Sequence, residues 1–181
     1  AEQAQQYFNG TELSDPLLIA DMDKAVQAIE AAVDNEIKIT VYGDYDCDGV
    51  TSTVMLFTHL DAIGADVNWY IPTREEGYGL NENAIRKLHE DGTGLIITVD
   101  NGVSAVNEAE LIYELGMKLV VTDHHQLPEI LPKAEAIVNP HRQDDNSPYK
   151  ELAGCGVALK LIMALERDVE GVLEQYADLA D

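Results

Sequence analysis

Three short polar clusters hold most of the side chains here that could do chemistry: Asp44-Tyr45-Asp46-Cys47-Asp48-Gly49, Asp100-Asn101-Gly102 and Asp123-His124-His125. Carboxylates mixed with imidazole suit Mn, Fe, Zn or Mg, and thiolate-loving metals far less. In Asp44-x-Asp46-x-Asp48-Gly49, alternate carboxylates can turn inward toward one ion, with Gly49 relieving the backbone. The calcium loops of EF-hands begin similarly, but the twelfth position from Asp44 is Met55, where a glutamate is required. Asp100 has two oxygens with which to bridge two ions, and His124 offers a neutral imidazole. Two cations about 3.5–4 Å apart would hold a phosphoryl group and activate a water for in-line attack. His125 could then contact the phosphate or serve as general acid for the leaving oxygen. Asp123 could steady a neighbouring imidazole through its second nitrogen. Each cluster alone has a plainer reading, a surface His pair or an Asp-rich turn. It is their coincidence that favours a metal site.

Each cluster directly follows an apolar β-type run: 37–43, 95–99 and 117–122. In an open parallel sheet such ends lie along one edge, and sites form in the crevice outside them. The rest of the pattern fits this frame. Asp21 precedes a 3.6-residue stripe of Met22, Ala25, Val26, Ile29 and Val33, a helix with Asp21 as its N-cap. A strand follows at 37–42, a helix at 51–63 stopped by Gly64, a strand at 67–71 and a loop at 72–80. Asn81 caps a helix running to about 91, and 95–99 is a strand. Ser104 caps a helix carrying Val106, Ala109, Leu111, Ile112 and Leu115, ended by Gly116. Strands at 119–122 and 136–138, a polar loop at 141–150 and helices at 152–165 and 169–179 complete the chain. Strands alternating with helices imply right-handed βαβ units, an α/β fold with a mostly parallel five-stranded sheet covered on both faces.

Further candidates surround the proposed cleft. Arg74 lies beyond the second strand end and suits bidentate phosphate binding, and Tyr78 could stack on a base. Each is matched by the plainer reading of a salt-bridged surface loop. Asn101, Gly102 and Ser104 open a helix whose free N–H groups could bind an anion, though an ordinary cap explains them equally well. Gly154 and Gly156 could cradle a phosphate, close helix packing being the alternative. His59 and His89 sit in helices without partners, and His141 lies on a loop near the last strand end.

Composition bounds the rest. The chain has 181 residues, enough for one hydrophobic core, and is 46% hydrophobic and 25% charged, an ordinary globular balance. No apolar run approaches the roughly 18 residues needed to span a bilayer, so no membrane partner is expected. The first six residues lack the features of a signal peptide, and Cys47 and Cys155 lack metal or redox spacing. Thiols in the cytoplasm are the expectation. Thirty-four acidic against eleven basic residues give a net charge of −23, which argues against broad attraction to nucleic acid or acidic membranes. Clustered carboxylates cannot all stay ionised without a counter-charge, which divalent cations would supply.

Five motifs in fixed order resemble one known family. They are Gly43-Asp44-Tyr45-Asp46-Cys47-Asp48-Gly49-Val50-Thr51-Ser52, Arg74-x-x-Gly77-Tyr78-Gly79-Leu80, Thr98-Val99-Asp100-Asn101-Gly102, Thr122-Asp123-His124-His125 and Leu152-Ala153-Gly154-Cys155-Gly156-Val157-Ala158. The chain resembles the DHH phosphoesterases over about residues 17–165, in the single-strand-specific exonuclease branch. The resemblance implies the family's N-terminal catalytic domain and a two-metal 5′→3′ exonuclease on single-stranded DNA in repair and recombination. Mn²⁺ or Mg²⁺ would be the cofactor, with a helicase and a single-strand-binding protein as further partners. It implies Asp44 and Asp46 on one metal, Asp48 and His124 on the other, Asp100 bridging, and His125 facing the scissile phosphate. Against the family pattern, the chain reads as a core truncated at both ends: an extension over 1–20, an α/β core over 21–165 and a helix over 166–181. A later metal-binding Asp, a cleft-closing domain and an oligonucleotide-binding fold are missing, so one metal site is expected to be incomplete and isolated activity weak. The alternatives are a phosphodiesterase for short oligonucleotides or cyclic dinucleotides, and a non-catalytic scaffold domain.

Overall fold

Ile39–Tyr42 (β1) and Leu95–Val99 (β3) are buried at every residue, as are Ala136–Val138 (β5) and all but the first residue of Lys118–Thr122 (β4). Continuous apolar runs of this kind belong to parallel strands covered on both faces. The chain builds that sheet. In the computed structural model, which describes residues 14–180, five strands including Val67–Tyr70 (β2) pair in parallel in the order β2-β1-β3-β4-β5. Residues 1–13 of the expected N-terminal extension lie outside the described residues.

Side chains alternate between two cores. One face packs Ile39, Val41, Ile97, Val99 and Val120 against Met22–Asp34 (α1), Cys47–Ala62 (α2), Gly154–Glu166 (α5) and Val169–Ala180 (α6). The other packs Tyr42, Ile96, Leu119 and Val121 against Glu82–Glu90 (α3) and Val106–Glu114 (α4). The strand order reverses between β1 and β3. Crossovers from β1 and β3 leave in opposite directions, opening a crevice at their carboxyl ends, where open α/β sheets bind ligands. The Asp44 loop follows β1 there, and Asp100 follows β3.

Several local expectations are corrected. Asp21 does not cap α1: its φ is 59° and its side chain makes no cap bond. Its carboxylate instead ties Lys24, Arg142 and the Ile137 N–H together, fastening the 141–150 loop to the start of the helix. Ser104 is no cap either, because α4 starts one residue later behind Ala105 with no side-chain cap. Helix α2 begins at Cys47, not residue 51; Asp46 caps it by accepting from Gly49 N–H at 2.9 Å. Two of the acidic residues are thus part of a helix start. β1 begins at Ile39 and α5 at Gly154, each two residues later than the pattern suggested. Cys47 and Cys155 form no disulfide.

His59, expected to lack partners, is buried on α2 with Nε2 3.5 Å from Glu166 Oε1 and its ring edge-on to Tyr176. Nε2 makes no hydrogen bond. Burial pulls its pKa below the ordinary 6.5, outweighing the carboxylate of Glu166. The unfolded chain therefore binds this proton first, and stability is lost as pH falls through 6.5 toward the folded-state value. His59→Leu should flatten that slope and stabilise the protein at acid pH by about 1 kcal/mol, the scale of one unsatisfied buried polar group. Urea unfolding at neutral and mildly acid pH checks it, and identical slopes for both proteins would refute the assignment.

Candidate metal centre

The Asp44 loop is held by close backbone contact. A Cβ on Gly49 would lie 2.7 Å from the backbone N and O of Asp44, so only glycine lets the first turn of α2 fold back against the strand end. Asp44 is buried, and Asp46, at the N-cap, is exposed at the mouth of the crevice. Across the crevice, Asp100 is 2% exposed and holds a left-handed φ of 61°. That conformation is uncommon outside glycine, and here it turns the carboxylate toward the Asp44 loop.

Two donor sets result. Asp44, Asp46 and Asp100 each offer an oxygen within 4.8 Å of the others, and Asp100, His124 and His125 do the same with oxygen and ring nitrogens. Asp100 is common to both. Its Oδ1 lies 3.1 Å from His124 Nε2, while Asp48 Oδ2 is 3.6 Å from that nitrogen. Asp44 Oδ1 and Asp100 Oδ1 are buried without hydrogen bonds. Burial, then the charges of Asp48 and Asp46, push the Asp100 pKa up to about 8, and burial raises that of Asp44. Orphaned carboxylate oxygens beside an imidazole are what a hard or borderline divalent cation needs. The residues present fit such an ion.

Asp123 has a different environment. Its Oδ1 accepts from the N–H groups of His124 and His125, at 2.7 and 3.1 Å, and lies 2.7 Å from His125 Nδ1; Oδ2 accepts from Val103 N–H at 2.9 Å. Burial raises its pKa, but the bonds from His125 and Val103 outweigh it and the net shift is downward. In return the Asp123 bond raises the His125 pKa. With Nδ1 on Asp123, the Nε2 edge of His125 is left for the cleft. Tyr78 leans on this imidazole edge-on, with its hydroxyl 3.3 Å from Nδ1, and donates to Asp100 O at 3.0 Å.

The remaining candidates divide. Arg74 is exposed and lies over the Tyr45 ring, 5.0 Å from its centroid, at the rim of the acidic loop. Asn101 is fully buried, its Nδ2 donating to Val99 O and Tyr42 O at 2.9 and 3.3 Å. Through Nδ2 it laces β1 to β3, while its Oδ1 is buried without a hydrogen bond. The Gly154 N–H donates to Asp48 Oδ2 at 2.6 Å and that of Cys155 to Asp48 Oδ1 at 2.7 Å, so this helix end already holds an anion. A Cβ on Gly154 would lie 2.5 Å from Asp100 Oδ1, and one on Gly156 3.3 Å from Leu152. Both glycines serve packing. Ser104 is exposed on a cavity beside His125, lined also by Tyr78, Leu80 and Glu108. Sequence reasoning missed Val103, Cys155 and Glu108; the first two act through backbone N–H groups, which no residue type announces.

The N-terminal domain of the DHH family matches residues 38–180. The chain belongs to the DHH family. Among DHH relatives, the single-stranded-DNA-specific exonuclease RecJ of Bacillus subtilis (strain 168) is 45% identical over 168 residues, 91% of this chain and 21% of that protein. The RecJ of Escherichia coli (strain K12) is 41% identical over 149 residues, 81% of this chain and 26% of its own length. A crystal structure of exonuclease RecJ bound to manganese superposes with a TM-score of 0.80 at 35% identity, covering 90% of this chain and 42% of that one. This DHH chain thus spans between a fifth and about a quarter of the curated relatives it matches.

The shared carboxylate gives a signed test. Asp100→Asn removes a buried carboxyl whose ionisation burial opposes, without changing shape, and Asn tolerates a left-handed φ. Ion-free, the variant should melt a few degrees higher, as expected for about 1 kcal/mol. It should also lose most of the rise that millimolar divalent cation gives the parent protein. Differential scanning calorimetry with and without cation reads both; an unchanged cation response would remove Asp100 from the centre.

Proposed function

We propose that this chain is the metal-binding catalytic part of an exonuclease that hydrolyses phosphodiester bonds in single-stranded DNA. The observation that carries this reading is Asp100 shared between two donor sets, one with Asp44 and Asp46 and the other with His124 and His125. Relatives at 41–45% identity are named single-stranded-DNA-specific exonucleases, and RecJ structures hold Mn²⁺ or Mg²⁺. Asp44, Asp46 and Asp100 would hold one ion, and Asp100, His124 and Asp48 a second. Bound there, such ions supply positive charge that polarises a phosphoryl oxygen.

The chain's own residues supply the rest. Asp123 fixes the His125 ring and favours its protonated form, so Nε2 can donate to the scissile phosphate or to the leaving oxygen. Tyr78 offers an exposed ring edge to a base or sugar near that phosphate, and Arg74 a guanidinium for a second phosphate. No helix among the described residues is long and apolar enough to cross a membrane. The same reading puts the chain in the cytoplasm, where a helicase and a single-strand-binding protein would share its substrate.

The test is a single-turnover assay with the chain in excess over 5′-labelled single-stranded DNA and Mn²⁺ present. Mononucleotides should be released, chelation should stop them, and His125→Ala should slow release by roughly 10²–10⁴-fold, the usual weight of a general acid. Faster cleavage of dinucleotides or cyclic dinucleotides than of long strands would replace this reading with that of a small-substrate phosphodiesterase. Absence of any Mn²⁺ uptake in calorimetry would leave a non-catalytic scaffold.

A further inference from the structure

Away from the metal centre, the sheet ends laterally in β2, which among the described residues pairs with β1 on one side and with no strand on the other. Ile39 N–H bonds to Asp66 O at 2.8 Å and Gly43 N–H to Tyr70 O at 2.9 Å. Alternate residues of a parallel strand face the same neighbour, so Asp66, Asn68 and Tyr70 are committed to β1. The N–H and C=O groups of Val67 and Trp69 point outward from the sheet. Trp69, the single tryptophan of the chain, is 56% exposed.

Apolar surface continues onto α2. Val50 and Val54, one helical turn apart, are 40% and 45% exposed. Helical spacing sets them on the flank opposite His59, which faces Glu166 and Tyr176 of α5 and α6. Helix α5 contacts β3 and β4, while α2 contacts β1 and β2 most. The Val50–Val54 flank therefore lies on the side of α2 toward the free edge. Protective lysine or proline, common on edge strands, is missing from β2. The exposed charges in the last turn of α2 and its connection to β2 are Asp61 and Asp66, and α2, β2 and their connection contain no lysine or arginine.

We infer that β2 is a docking edge for an extended segment of a protein partner, apolar at alternate positions and flanked by lysine or arginine. Main-chain bonds to Val67 and Trp69 would add a sixth strand, alternate side chains would cover Trp69 and Val54, and the basic flanks would meet Asp61 and Asp66. A second copy is a poor occupant, since each chain carries −23 and would bring like acids together. The same acids repel a nucleic-acid strand.

The probe is a capped decapeptide alternating valine and threonine between paired lysines, titrated into the chain while Trp69 fluorescence is followed. Binding should shift the emission to the blue and slow amide exchange at Val67 and Trp69, leaving Asn68 and Tyr70 unchanged. A peptide of equal charge with proline at alternate positions should bind about tenfold more weakly or worse. The double substitution Asp61→Lys with Asp66→Lys should transfer preference to a glutamate-flanked peptide. Equal binding of the proline peptide would reduce the effect to bulk charge and overturn the inference. So would the same emission shift from chain dimerisation in sedimentation, or from single-stranded oligonucleotide in place of peptide.

Discussion

The carboxylates of Asp44, Asp46, Asp48 and Asp100 converge on one crevice and repel one another, and much of the local structure answers that repulsion. Asp48 is neutralised by two N–H groups at the start of α5, and Asp46 caps α2. Both helices thus aim the positive end of their peptide dipoles at the cluster. Asp44 and Asp100 receive no such help at their buried Oδ1 atoms. Their residual charge is what a cation, or a proton on Asp100, must balance. Stability and ion binding are therefore two faces of the same electrostatic problem.

Asp123 shows the opposite solution a few ångströms away. Three N–H groups and an imidazole saturate its oxygens, so it stays ionised although buried. Hydrogen bonds to the charged form outweigh desolvation here, while on Asp100 desolvation wins. Two aspartates after adjacent strands thereby acquire separate tasks. One is a carboxyl whose ionisation a bound ligand would have to favour, and the other carries charge that orders His125 and raises its pKa. Val103 matters because its backbone N–H completes the shell of Asp123, which ties the turn after β3 to the turn after β4.

Much of this was legible in residue types and spacing. Apolar runs ending in Asp44, Asp100 and Asp123 marked the strand ends, and parallel pairing brings such ends to one rim. The helix starts were less legible. Ser104 and Asp21 have good capping side chains, yet exposure of one and an ion-pair network around the other decide differently. The start of α2 was read too late because Gly49 and the β-branched residues after it weaken local helix propensity. Close packing of Gly49 against Asp44 overrides that preference. Asn101 looked available for a ligand because its burial depends on the distance between β1 and β3, which no local pattern encodes.

The acid excess bears on how any polyanion could reach this crevice. With 34 acidic and 11 basic residues, the long-range field repels phosphate, and steering over several Debye lengths is absent. Attraction would then have to be short-range, from cations bound in the crevice, from Arg74 at its rim and from His125, whose protonated form Asp123 favours. Such a site gains nothing from phosphates elsewhere on its surface. A strand would be gripped where the cations are and repelled away from them. On the proposed function, selectivity for the reacting phosphate would come from the same kind of carboxylate that makes the rest of the surface inhospitable, because clustered at one point they can gather divalent cations.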